Sequence, residues 1–140
     1  MYKYLFLALL ALTLFSCKKE SKSSTGLKEQ LTGRWNYATL YQNDYDAKGK
    51  LLNSERLQAR SIDYFEFAEN DSFSSTYNGL ADLTTGTYNV SSTTAFTLKI
   101  GNTTYPCRVV SLNQTSLVFV MANPKVVNQP YTEYTHTLSR

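Results

Sequence analysis

The sequence is poor in the residues and motifs that usually announce chemistry. Among 140 residues it has two cysteines, Cys17 and Cys107, and one histidine, His136. A lone histidine without a cysteine or carboxylate at ligand spacing gives no basis for a metal site, and no cofactor is expected. The sequence contains no G-x-S-x-G elbow, Walker-type loop, dinucleotide fingerprint or H-E-x-x-H helix. No catalytic residue is therefore assigned, and the chain is not expected to be an enzyme. The carboxylates of Asp63 and Glu66 do not form a catalytic pair, because an odd separation along a strand sends them to opposite faces. No periodic helix of ten or more residues follows Gly33. Nor is any apolar run long enough to span a bilayer. The longest, Leu5 to Phe15, has eleven residues, where a spanning helix needs roughly 20.

Charge of one sign is also scarce once the chain is divided. The formal charge is +3, but Lys18, Lys19, Lys22 and Lys28 cluster near the start, and residues 29–140 hold nine Lys/Arg against ten Asp/Glu. A nearly neutral domain lacks the clustered cations that phosphate backbones require, so no nucleic-acid partner is expected.

The first segment has the three parts of an export signal: Lys3, the apolar run, and then Ser16 and Cys17. Leu14-Phe15-Ser16-Cys17 resembles the lipobox of bacterial lipoproteins, with an aliphatic residue three before the cysteine and a small one directly before it. The resemblance implies cleavage before Cys17, lipid attachment at Cys17, and a membrane partner held through N-terminal acyl chains. Two or three such chains anchor stably where one does not. Lys18 and Lys19 lack the aspartate that favours inner-membrane retention, so the resemblance points to the cell envelope, at the outer membrane. An acylated Cys17 leaves Cys107 without a disulfide partner, expected as a small buried apolar residue. Residues 1–16 are read as the signal peptide, 17–26 as lipidated cysteine and linker, and 27–140 as one domain. The linker's composition, KKESKSSTG, has no apolar residue to bury.

Within the domain, Leu27 and Leu31 are one helical turn apart and stop at Thr32-Gly33, which reads as a short helix. From Trp35 onward, alternating runs rich in Tyr, Phe, Val, Ile and Thr recur with turn residues between them. The runs fall near residues 35–42, 51–59, 62–67, 72–77, 86–90, 95–100, 105–112, 117–122 and 131–138. Turns are expected at Asp46-Ala47-Lys48-Gly49, Glu69-Asn70-Asp71, Asn78-Gly79, Gly101-Asn102 and Asn113-Gln114. Short connections force antiparallel neighbours, giving an all-β fold of eight or nine strands. A closed or partly open barrel removes the exposed sheet edges, and a two-sheet sandwich is the competing arrangement.

Several segments, taken in order, resemble small lipocalin-like lipoproteins of Gram-negative bacteria. Leu31-Thr32-Gly33-Arg34-Trp35 is similar to the G-x-W start of the lipocalin barrel. Phe65 to Phe73 looks like its strand-turn-strand segment, Gly86-Thr87-Tyr88 like the G-x-Y strand that follows, and Leu112 to Phe119 like a late hairpin. The likeness covers residues 27–140 and implies an antiparallel up-and-down lipocalin-like barrel, without implying an activity.

Eleven tyrosines and seven phenylalanines are the richest feature. If Trp35, Tyr37, Phe65, Phe67, Phe73, Tyr77, Tyr88, Phe119 and Tyr134 share the inner face, they form a wall suited to a small hydrophobic or amphipathic ligand. An eight-stranded barrel is also narrow enough for such rings to fill. The alternative is thus a filled barrel that contacts an envelope protein or glycan through its outer face or its loops, including residues 122–130. His136 is read as a wall or surface residue on the last strand.

Overall fold

The computed structural model describes residues 26–77 and 83–140. The segment expected to be a signal peptide, Cys17, the expected linker up to residue 25 and the turn expected at Asn78-Gly79 lie outside the described residues.

Leu27–Leu31 forms helix α1, followed by nine strands. They are β1 (Gly33–Tyr45), β2 (Leu51–Leu57), β3 (Tyr64–Phe67), β4 (Ser72–Ser75), β5 (Thr84–Val90), β6 (Ala95–Ile100), β7 (Thr103–Leu112), β8 (Ser116–Ala122) and β9 (Tyr131–Ser139). A helix of five residues is too short to persist in isolation. α1 is held because Leu27 and Leu31, on one face, both enter the hydrophobic core. It ends where Thr32 turns its amide and hydroxyl back to the Lys28 carbonyl, at 3.0 and 2.8 Å. Gly33 follows with φ +115°, a conformation that other L residues rarely adopt.

All strand pairs are antiparallel, and β9 returns to pair with β1 along Asn36–Tyr45. That pairing closes the sheet and makes it a barrel, not a sandwich. Eight strands, β1 and β3 to β9, form the ring, and β2 is an additional ninth. β3 pairs with Gly33–Asn36 and β2 with Leu40–Tyr45, so both occupy the same edge of β1, with residues 58–63 between them. Asp63 stabilises this interruption: its carboxylate accepts the Arg60 amide at 2.7 Å, and its carbonyl accepts the Tyr37 amide at 3.1 Å.

A register shift between Tyr37 and Thr39 changes which residues of β1 face inward. Below it Trp35 and Tyr37 point in; above it Leu40 does, at 3% exposure, while Tyr41 is 38% exposed.

The end of the barrel beside α1 is solid. Trp35, Phe67, Tyr88, Phe96, Leu117, Phe119 and Leu138 are buried there with the two helix leucines. Phe67 meets Tyr88 and Phe96 edge-on at ring-centroid distances of 5.1 and 5.7 Å. Such pairs contribute about 0.5–1.5 kcal/mol each beyond area burial. Polar contacts seal the same end. Trp35 Nε1 donates to the Leu31 carbonyl at 2.7 Å, and Tyr88 Oη donates to the Ala68 carbonyl at 2.9 Å. Lys28 Nζ lies 2.6 Å from the Asp71 carboxylate. The Arg140 guanidinium sits 3.8 Å above the Trp35 ring and donates to the carbonyls of Gln30, Thr32 and Gln114, each at 3.0 Å. Two of these carbonyls belong to the C-terminal turn of α1, where helices leave acceptors unpaired.

Candidate binding cavity

Above the aromatic plug the strands diverge around a cavity of about 200 Å³. Its position follows from strand direction: Leu40, Ser75, Thr84, Ile100, Met121 and Tyr134 lie toward the strand ends remote from α1, and Leu57 joins them as the partner of Leu40. Apolar side chains dominate, with Phe65 and Phe73 forming the floor nearest the plug and Leu98 beside them. Phe65 and Phe73 stack at 5.2 Å with planes 12° apart, which keeps that floor flat. Among the described residues no Lys, Arg, Asp or Glu lines the cavity.

The polar groups in the wall are few and connected. Tyr37 Oη lies 3.1 Å from Nδ1 of His136 and 3.4 Å from the hydroxyl of Ser75. The contact depends on barrel closure, because β1 carries Tyr37 and β9 carries His136, and their inward faces become neighbours only when these two strands pair. Burial pushes the His136 pKa down to about 3, so the imidazole is neutral at physiological pH. Burial pushes the Tyr37 phenol well above its ordinary range, so it also stays protonated. Tyr77 Oη and His136 Nε2 are buried polar atoms without a hydrogen-bond partner among the described residues.

Beyond the cavity, where β1 and β9 run on past Leu40 and Tyr134, the side chains are hydrophilic. Asp44 accepts from Thr132 Oγ1 at 2.8 Å and from Gln42 Nε2 at 3.3 Å. These bonds, Thr132 first, hold its carboxyl below the usual carboxylate range.

The aromatic residues singled out from the sequence divide between two places. Tyr37, Phe65 and Tyr134 line the cavity, as do Phe73 and Tyr77. Trp35, Phe67, Tyr88 and Phe119 pack in the core and are not among the lining residues. Cys17 lies outside the described residues. Cys107 is buried on β7, its thiol 3.6 Å from the Tyr105 carbonyl, and burial pushes its pKa up. Among the described residues no three His, Cys, Asp or Glu side chains are grouped to hold a metal ion.

The aliphatic lining was not singled out: Leu40, Leu57, Leu98, Ile100 and Met121, together with Ser75 and Thr84; His136, read as a wall or surface residue, lies in the cavity wall. Signals existed for two of these positions. His136 is two residues from Tyr134 on one strand and so shares its face, and Leu98 alternates with Phe96. Leu40 carried no such signal, since the bulge beside it reverses the alternation.

No protein-family model matches the sequence, and no curated protein is significantly similar to it. Solved structures do match. Bovine odorant binding protein, in complex with a selenium-containing odorant, superposes with a TM-score of 0.50 at 18% identity, covering 87% of this chain and 76% of that one. A deswapped triple mutant of bovine odorant binding protein gives 0.47 at 19% identity, over 79% and 74% of the two chains. The bovine lipocalin allergen Bos d 2 gives 0.47 at 18%, over 81% and 74%. The first of these, with the closed eight-strand ring, establishes a lipocalin fold.

Proposed function

We propose that this chain is a lipid-anchored binding protein of the bacterial cell envelope that holds a small hydrophobic molecule inside its barrel. The observation that carries the reading is the apolar cavity above the aromatic plug, lined without a formal charge among the described residues. Ligand pockets have this character, apolar walls with a few placed polar groups. The odorant in the similar bovine protein's complex is consistent with it. Transfer of apolar surface from water supplies about 25 cal/mol per Å² buried, so the cavity favours molecules that fill it. Binding, not turnover, is the activity this arrangement supports.

The anchor rests on Leu14-Phe15-Ser16-Cys17 and on the absence of a spanning-length apolar run. Outer-membrane placement rests on Lys18 and Lys19 after the cysteine. Native mass spectrometry of the protein purified from its host, followed by solvent extraction, tests the cavity. A co-purifying small molecule is expected, and a protein that is ligand-free and takes up no hydrophobic probe overturns the reading. Metabolic labelling with an acyl-chain probe tests the anchor; label is expected on the protein and is lost in Cys17→Ala.

A further inference from the structure

The polar atoms of the cavity narrow the chemistry of its ligand, an inference that rests on the binding reading above. Buried polar atoms in folded proteins are almost always paired. Among the described residues two are without a partner, Tyr77 Oη and His136 Nε2, and both residues line the same cavity. A neutral imidazole carries one N–H and one acceptor nitrogen, so the partner of Nδ1 decides the role of Nε2. That partner is Tyr37 Oη at 3.1 Å. A phenol is a stronger acid than a neutral imidazole N–H, so the phenol donates and Nδ1 accepts. Ser75 Oγ, 3.4 Å from the phenol oxygen, completes the chain by donating to it. The ring proton of His136 then resides on Nε2.

Charge and size set the remaining limits. Among the described residues the lining holds no cation, so a carboxylate ligand would leave water uncompensated, and no carboxylate, so an ammonium would do the same. A dry apolar cavity of roughly 150 Å³ accepts benzene, and this one measures about 200 Å³. We propose that the cavity takes a neutral molecule of one ring, with a ketone, aldehyde or ester oxygen that accepts the Nε2–H of His136. Tyr77 Oη is a second group able to bond the same molecule.

Three probes of similar size test this on the purified mature chain: acetophenone, ethylbenzene and phenylacetate. Calorimetry at neutral pH is expected to show acetophenone binding and no detectable phenylacetate binding. His136→Phe is expected to weaken acetophenone about tenfold while changing ethylbenzene less than about threefold, since one hydrogen bond is lost. Tyr37→Phe, which frees Nδ1 and lets the ring proton move, is expected to weaken acetophenone in the same direction. Acetophenone labelled with ¹³C at the carbonyl reports the bond independently of variant folding: in the wild-type protein its resonance is expected downfield of its position in alkane solvent. An unshifted carbonyl, equal losses for acetophenone and ethylbenzene in His136→Phe, or phenylacetate bound as tightly as acetophenone overturns the proposed recognition and leaves a hydrophobic binding protein. Failure of both acetophenone and ethylbenzene to bind overturns the binding reading with it.

Discussion

The imidazole of His136 lies flat against the ring of Phe119, with centroids 4.4 Å apart and planes within 4°. Phe65 closes the assembly edge-on to the same imidazole, at 6.2 Å and 84°. The only titratable imidazole of the chain is thereby placed among hydrocarbon, where its neutral form is favoured and its cationic form is not.

A pH dependence of stability follows from that placement. The folded pKa is about 3 against an ordinary value of 6.5. Between these values the unfolded chain binds a proton that the folded chain does not, so stability falls as pH falls through this window. The slope approaches 1.4 kcal/mol per pH unit, on the order of one proton's linkage. Urea unfolding at pH 7, 6 and 5 should show the decline, and His136→Phe should flatten it. A variant as pH-sensitive as the parent would count against a neutral buried histidine.

Thiol chemistry should report the closed wall around Cys107. In protein carrying Cys17→Ala, a disulfide-exchange reagent is expected to leave Cys107 unmodified under native conditions and to modify it fully in denaturant. Both burial and the raised pKa reduce the thiolate available to react. Rapid native modification would mean that β7 is not packed as described.

Arg140 should behave as a structural latch. Arg140→Ala removes its three hydrogen bonds and the stacking on Trp35, an expected loss of about 1–2 kcal/mol. Thermal melting should register this as a lowered Tm. Arg140→Lys is expected to recover little, because an ammonium cannot present the planar fork that reaches three carbonyls at once.

Gly86 is fixed by contact, not by backbone conformation. A Cβ there would collide with the carbonyl oxygen of Lys99 and stand 2.7 Å from a ring carbon of Phe73. Gly86→Ala is therefore expected to destabilise by roughly 1–3 kcal/mol, the range for overpacked cores. A melt unchanged from the parent would show that β5 and β6 can separate at no cost.

Most strands were legible because they alternate over their own short runs, as at Ala95–Ile100, while β2, exposed along nearly all its length, carries no alternation to read. The short helix was legible from Leu27 and Leu31 alone. Barrel and sandwich could not be separated, because the deciding event is the pairing of β1 with β9, from Asn36 with Ser139 to Tyr45 with Tyr131, residues far apart in the chain. The same distance hid the Tyr37–His136 contact, across 99 positions. The bulge after Tyr37 was hidden for a different reason. Alternation predicts Tyr41 on the face of Trp35, and nothing about Ala38 marks it as the residue where the count slips. Depth within the barrel is equally silent in a sequence: Phe67 and Phe65 share one strand and one face, yet only Phe65 reaches the cavity.

The helix and the cavity occupy opposite ends of the barrel, and this has a directional consequence. The segment that carries Cys17 joins the domain at the plugged end. A lipid on that cysteine would tether the barrel by its plugged end, opposite the rim of Asp44, Gln42 and Thr132. The attachment point of the tether and the mouth of the cavity are thus separated by the length of the barrel.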